Sequence, residues 1–380
     1  MPLRIGIDIF SFDKPGENYG VGPGVYVWHL LPKLFEYGKD IQFYVFGNRE
    51  IESLIPKGDN VKIFIDPLPN RIRSTRIIHE QLIVPFYAKK YNLNLVHFLG
   101  NNISYLSAKK SIITIYDLMW KYYLDQGHKD LKYKYFLMTV PKSIKMARGI
   151  ITISSFVRQQ VNENYDKNLK HIIPILLAPG ELKQPNENQI NIFKAQYNYK
   201  FIFTVTTSLP HKNLMTLLKA FQKLKSLGIY QGKLIVAGQL KGDFHNLTYN
   251  FVMENNLENE IILAGFISEE LKTYLYNNAD FFVYPSLYEG FGLPVLEAMG
   301  AGNAVLASNA ASIPEVGGDV CLYFDPSSVE DLVNKLQFMV ENPSWNDENR
   351  EKRLVHFNNF SWDKTAKDTL AAYKYFEKQK

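Results

Sequence analysis

Short apolar runs alternate with helix-period segments along most of the chain. Ile5-Gly6-Ile7-Asp8-Ile9-Phe10 opens the series within residues 3–10, and residues 41–46, 61–65, 95–98 and 112–115 continue it. Such runs are apolar at nearly every position, which suits strands buried on both faces. Between them apolar residues return every three or four positions, as at Val27, Leu30, Leu31 and Leu34, or along residues 77–91. That spacing predicts helices with one buried stripe. The alternation predicts an α/β architecture with a mostly parallel sheet covered on both faces.

Residues 150–156 are expected to be the last strand of this series, with Ser154 or Ser155 capping the next helix. Residues 172–177 then begin a crossing, and Ala178-Pro179-Gly180 opens a polar linker that runs through Gln184-Pro185-Asn186. A second series follows, with strand signals at 201–205, 234–238, 261–264, 281–284 and 304–307. Leu214, Leu217, Leu218, Phe221 and Leu224 mark a buried helix face within it. We place the domain boundary near residue 175, giving domains 1–175 and 176–360. The last segment, about 361–380, reads as a helix with Ser361 as its cap.

Composition agrees with two cores. A chain of 380 residues exceeds one typical domain. With 46% hydrophobic and 21% charged residues it is globular rather than disordered. A single cysteine, Cys321, excludes an intramolecular disulfide and fits a reducing compartment. The chain opens directly into a core strand without a secretory pattern, and it contains no apolar run long enough to span a bilayer. The expected location is cytoplasmic, free or held peripherally at the inner face of a membrane.

The net charge of +5 is unevenly placed. Residues 1–175 carry 24 Lys+Arg against 15 Asp+Glu, and the remainder carries 19 against 23. Arg71-Ile72-Arg73-Ser74-Thr75-Arg76, Tyr122-Tyr123, Lys129, Lys132-Tyr133-Lys134-Tyr135-Phe136 and the stretch from Lys142 to Arg148 mix basic with aromatic residues. Such mixtures either attract anionic lipid headgroups or form a solvated basic face, and both readings stand. No nucleic-acid recognition motif accompanies the charge.

Candidate chemistry concentrates in Pro285-Ser286-Leu287-Tyr288-Glu289-Gly290-Phe291-Gly292-Leu293-Pro294-Val295-Leu296-Glu297. The stretch reads as strand end, glycine loop and helix start, with Pro294 tolerated in the first turn. Free N–H groups of that turn favour an anion such as phosphate, and Gly290 and Gly292 allow close backbone approach. Glu289 stands in the loop and Glu297 about one turn into the helix. Backbone for phosphate and two carboxylates for hydroxyls suit a nucleotide sugar.

This stretch resembles the signature of retaining glycosyltransferase family 4, whose members have two facing Rossmann-like domains, the GT-B fold. The likeness extends to bacterial mannosyl- and rhamnosyltransferases of surface polysaccharide assembly. It implies a donor in the cleft between the domains, an acceptor-side first domain and a terminal helix crossing back to it. It also implies transfer of a sugar, with mannose from GDP-mannose as our choice, to a glycan or lipid-linked acceptor. By the same resemblance Glu289 contacts the donor sugar, Glu297 the ribose, and the backbone of Phe291, Gly292 and Leu293 the sugar and phosphates.

Thr206-Thr207-Ser208-Leu209-Pro210-His211-Lys212-Asn213 is similar to the family's phosphate segment, with His211 where arginine is usual. Charge on the leaving diphosphate then falls mainly on Lys212. Gly238, Phe266 and Ile267, at two strand ends, correspond to positions around the nucleotide base. Gly22 and Gly24, in the glycine-rich loop from Asp13 to Gly24, correspond to backbone closing over the diphosphate. Tyr116-Asp117 follows the strand 112–115 where the family usually has histidine before the aspartate; the phenol is either a site group or a core aromatic. His97, at the end of 95–98, reads as a buried histidine. No Asp-x-Asp motif appears, and neither metal nor cofactor is expected.

Three other functions are compatible with this sequence. A GT-B sugar-nucleotide epimerase would share the fold but not the loop–helix motif. A nicotinamide-dependent dehydrogenase would need the G-x-G-x-x-G fingerprint, which Gly20-Val21-Gly22-Pro23-Gly24 does not supply. A catalytically weak GT-B partner subunit is consistent with the departures at Tyr116 and His211.

Overall fold

The computed structural model describes residues 2–14, 22–128, 130–165, 171–207, 209–240 and 242–379. Residues 15–21 of the glycine-rich loop, Lys129, the Lys132 side chain and Ser208 lie outside the described residues. The chain divides into two compact units, Met1–Ala178 with Ser361–Lys380, and Pro179–Phe360.

The first unit holds seven parallel strands: β1 Leu3–Asp8, β2 Ile41–Asn48, β3 Val61–Asp66, β4 Leu95–Phe98, β5 Ser111–Ile115, β6 Gly149–Thr152 and β7 Ile172–Pro174. Their order is β3-β2-β1-β4-β5-β6-β7. The order reverses between β1 and β4, so the loops leaving their carboxyl ends diverge and open a crevice. Strand β7 corrects one reading. Residues 172–174, expected to begin the crossing, extend the sheet, with Ile172 beside Ile150. Three residues ending in proline carry almost no strand signal, and proline is tolerated there because β7 is an edge. Ser154 accepts a bond from the Val157 N–H at 3.2 Å and so caps the next helix.

The terminal helix Trp362–Lys378 belongs to this unit, capped by the Ser361 hydroxyl, which accepts from the Lys364 N–H at 3.2 Å. Its Thr365 hydroxyl donates to the Leu176 carbonyl at 2.8 Å. Phe376 packs against Gly149, where an added Cβ would lie 2.6 Å from the ring. The Tyr373 hydroxyl meets His97 Nδ1 at 2.7 Å, while the other ring nitrogen meets the Thr114 hydroxyl at 2.7 Å. His97 is therefore a satisfied core histidine, and burial pushes its pKa down to about 3.

The second unit holds six parallel strands: β8 Phe201–Val205, β9 Lys233–Ala237, β10 Ile261–Gly265, β11 Phe281–Tyr284, β12 Val305–Ser308 and β13 Leu322–Phe324. Their order is β10-β9-β8-β11-β12-β13, reversing between β8 and β11. Leu214, Leu217, Leu218, Phe221 and Leu224 of the helix Leu214–Ser226 pack into one core with Ile202, Val283 and Leu306. The polar linker ends sharply because Asn186 and Gln189 form a reciprocal capping box at the helix Glu187–Gln196. Among the described residues, no helix is long and apolar enough to cross a membrane.

Candidate active site

The second unit gathers charged groups where its strand order reverses, beyond β8 and β11. After β8 a short 3-10 turn, Pro210–Lys212, places His211 and Lys212. It ends at Asn213, whose φ of 55° lies in the left-handed region that asparagine tolerates. The Asn213 amide donates to the carbonyls of Pro285 at 3.0 Å and Pro326 at 2.9 Å. The Leu287 N–H donates to the His211 carbonyl at 2.7 Å, so the two loops are tied backbone to backbone. The Ser312 hydroxyl adds bonds to the carbonyls of Glu289 at 2.9 Å and Phe291 at 2.8 Å. Gly292 then turns the chain at φ 113°, open to glycine, into the helix Leu293–Gly300 with Pro294 in its first turn.

This scaffold holds Glu289 in a three-membered network. Its Oε1 accepts from the Lys212 ammonium at 2.7 Å and from the Tyr284 hydroxyl at 2.8 Å. Lys212 also donates to the Tyr284 oxygen at 3.2 Å. Burial by itself would raise the Glu289 carboxyl, but the charge and bond of Lys212 outweigh it and hold its pKa below the usual value. Burial would likewise lower Lys212, and the Glu289 carboxylate reverses that, so its pKa is raised. His211 is buried beside this pair; desolvation, then the Lys212 charge, push it down to about 4. At neutral pH the imidazole is uncharged.

Glu297 belongs to a second network. Its Oε2 accepts from the Tyr276 hydroxyl at 3.0 Å and pairs with Lys272 at 3.3 Å. Lys272 also pairs with Glu269 at 2.8 Å. Gly238 follows β9 at φ 116°, where a Cβ would fall 1.8 Å from the Thr206 carbonyl oxygen, so no larger residue fits. Past β10, Phe266 stands 80% exposed, its ring open to stacking, and Ile267 is half-buried. Gly290, Phe291 and Leu293 line the same turn as Gly292.

The remaining expected residues lie in the first unit. Gly22, at φ 71°, precedes the helix Pro23–Tyr37, and Gly24 is buried in its first turn. Asp117 Oδ1 accepts from the Met119 N–H at 2.9 Å, a local turn just ahead of the helix Met119–Asp125. Tyr116 is mostly core: its hydroxyl donates to the Leu99 carbonyl at 2.7 Å and its ring meets Tyr26 edge-on at 5.6 Å. That hydroxyl's hydrogen is committed and its pKa is raised by burial, while the ring also lines a cavity of the first unit.

Sequence reasoning missed Tyr284, Tyr276 and Lys272. Tyr284 is the last residue of β11, and its alternation with Phe282 puts both rings on one face of the sheet. Lys272 and Tyr276 are four apart on the helix Glu269–Asn278, hence on one face of it. Polar residues at a strand end and at helical spacing were the available signals.

A family model described as glycosyl transferases group 1 matches residues 185–374. The O-antigen chain mannosyltransferase B of Escherichia coli is 30% identical over 270 residues, 70% of this chain and 70% of its own. The chain belongs to the glycosyl transferases group 1 family. A second relative, the serotype-specific mannosyltransferase WbdA of Escherichia coli, is 28% identical over 68% of this chain but only 32% of its own length. Among solved structures, HepE of Anabaena in complex with UDP and glucose superposes with a TM-score of 0.73. It is 15% identical and covers 98% of this chain and 100% of that one. Together with the two all-parallel sheets, this likeness shows the GT-B fold. The protein is a glycosyltransferase, and family membership implies a nucleotide-sugar donor and a glycan acceptor.

Proposed function

We propose that the protein transfers mannose from GDP-mannose to a hydroxyl of a glycan or lipid-linked acceptor in surface polysaccharide assembly. Transfer proceeds with retention at the anomeric carbon and without a bound metal or cofactor. The observation that carries this reading is the Glu289–Lys212–Tyr284 network at the mouth of the Gly292 turn. The two mannosyltransferase relatives support the choice of sugar.

In this reading the anomeric carbon's bond to the leaving phosphate oxygen breaks as the acceptor oxygen bonds on the same face. The acceptor's proton passes to the departing phosphate, so no separate base is required. Glu289, kept ionised by Lys212, faces the donor sugar and offsets positive charge growing at the anomeric carbon. Lys212 is shared: paired with Glu289 at 2.7 Å before the donor binds, it also meets the diphosphate afterwards. Backbone N–H groups of Phe291 to Leu293 hold the phosphates, Glu297 takes the ribose, and Phe266 stacks near the base.

Peripheral contact with an anionic membrane is the companion proposal. It draws on residues 73–90, which form one helical stretch with a π turn at its centre. Leu82 and Phe86 are exposed on it at 58% and 60%, close in sequence to Lys89 and Lys90.

The test is donor turnover by the purified protein. GDP should bind more tightly than UDP or dTDP; equal binding of all three would overturn the donor assignment. The rival reading, a GT-B subunit without turnover, draws on the committed hydroxyl of Tyr116 and the neutral His211. Nucleotide binding with no release from any sugar donor would favour it.

A further inference from the structure

The first unit contains a cavity of about 610 Å³ whose lining includes Tyr116 and Pro23 but none of the residues that the reading above gives to the donor in the second unit. Its walls include Ser11 and Asp13, just past β1, and Leu99 to Asn102, just past β4. The cavity therefore opens where the strand order of this sheet reverses, the general position for ligands in open parallel sheets. Its volume lies in the range of small-molecule sites.

The lining is unusual in charge. Arg71, Arg73 and Arg76 all contribute to it, against two carboxyl groups, Asp13 and Glu80. Each arginine is held. Arg71 reaches Glu50 at 3.3 Å, Arg76 donates to the Asn70 carbonyl, and the Arg73 guanidinium lies 4.5 Å from the Tyr135 ring centroid. Asp13 is fixed by the Asn70 amide at 3.1 Å. Glu80 follows His79, which is anchored by Asp66 at 2.6 Å and Asp8 at 3.1 Å and stacked on Phe10 at 4.0 Å. Burial, and then the Asp8 charge, push the Glu80 carboxyl up to about 8, so it is mostly neutral at pH 7. Three guanidinium groups thus meet the carboxylates of Asp13 and Glu50, both on Arg71 at 4.0 and 3.3 Å, and one neutral acid, Glu80. In the same lining, the side-chain oxygens of Asn101 and Asn102 are buried without a hydrogen-bond partner. Buried acceptors in that state are costly unless a ligand supplies donors, and hydroxyl groups would.

We propose that this cavity seats an acceptor sugar bearing an oxyanion, phosphoryl or carboxylate, with the arginines on the anion and Asn101 and Asn102 on neighbouring hydroxyls. Guanidinium groups suit either oxyanion because their planar forks match its oxygens. The proposal deepens the glycosyltransferase reading by naming the chemical class of the acceptor, and it rests on that reading.

Three probes test it by equilibrium binding to the full chain: methyl α-mannoside, its 6-phosphate and methyl glucuronide. At least one charged probe should bind about tenfold more tightly than the neutral one, a gain that shrinks with added salt. Binding of the phosphate alone assigns a phosphoryl source, and binding of the glucuronide assigns a carboxylate. Arg73→Ala should remove most of that advantage. Arg76→Lys, which keeps the charge and is the safer change at a residue bonded to backbone, should weaken it less. Equal affinity for charged and neutral probes, or an unchanged Arg73→Ala protein, overturns the proposal. So does displacement of the charged probe by GDP at the affinity GDP shows by itself, which would assign the cavity to the donor. Failure of the glycosyltransferase reading would appear elsewhere, as no release of sugar from any nucleotide-sugar donor by the wild-type protein.

Discussion

Glu289 in the second unit and Glu80 in the first are both glutamates withdrawn from water near a strand-order reversal, yet they hold opposite charge states. Glu289 has an ammonium 2.7 Å away, and its pKa is held down. Glu80 has Asp8 as a repelling neighbour, and its pKa is pushed up to about 8 even though Arg76 opposes the shift. Burial raises both. The nearest charge decides between them. One carboxyl is thereby held ionised beside a cation, and the other is held mostly neutral in the wall of its cavity.

The largest expected effect breaks the first member of this pair. Glu289→Ala should lower donor turnover by a factor of about 10²–10³, the scale of losing one charge-stabilising group. Unchanged turnover would remove Glu289 from the chemistry. Next comes its cation. Lys212→Ala leaves a mostly buried carboxylate without its partner and should cost roughly 3 kcal/mol of stability at pH 7. The double variant Lys212→Ala/Glu289→Ala should recover part of that loss in denaturant titrations. Because the folded pKa of Glu289 is depressed, its stabilising contribution is present above its ordinary value of 4.5 and is lost as pH falls through the folded value.

Glu80 should show the reverse sign. With a folded pKa near 8 and an ordinary value of 4.5, the contribution of its neutral form is complete below 4.5 and is lost as pH rises through about 8. Asp8, His79, Arg76, Arg73, Arg71, Asp13 and Tyr135 are the charged and titratable groups around it. Glu80→Gln should flatten stability between those limits; an unaltered pH profile would show that Glu80 ionises normally.

Two of the three histidines buried among the described residues, His97 and His211, give a third pH signature. His97, near 3, and His211, near 4, both lie below the ordinary 6.5. Protonation on unfolding should erode stability as pH falls from about 6.5 toward 4, and His97→Gln should reduce that slope. The smallest effect belongs to the terminal helix, where Ser361→Ala should cost about 1 kcal/mol through loss of its cap.

Much of this molecule was legible in the order of its residues. Strands such as 95–98 and 281–284, the stripe of the helix Leu214–Ser226 and the Ser361 cap follow from local periodicity and local hydrogen bonding. So does the glycine turn ahead of Leu293. Strand β7 was not legible, because three residues have no periodicity and pair only once β6 is in place. Tyr116 shows the same limit from the other side: its position after β5 was readable, but the Leu99 carbonyl that accepts its hydrogen bond comes from a different loop.

The sequence by itself determined the alternation of strands and helices, the motif that places backbone and Glu289 at a helix start, and the excess of positive charge before residue 175. Only tertiary structure decided what those charges meet. Lys212 and Glu289 are 77 residues apart and within 2.7 Å, while Arg71, Arg73 and Arg76 line a cavity together with residues 99–102. Periodicity is a property of neighbours along the chain. Charge state depends on distance in space, and folding alone sets that distance.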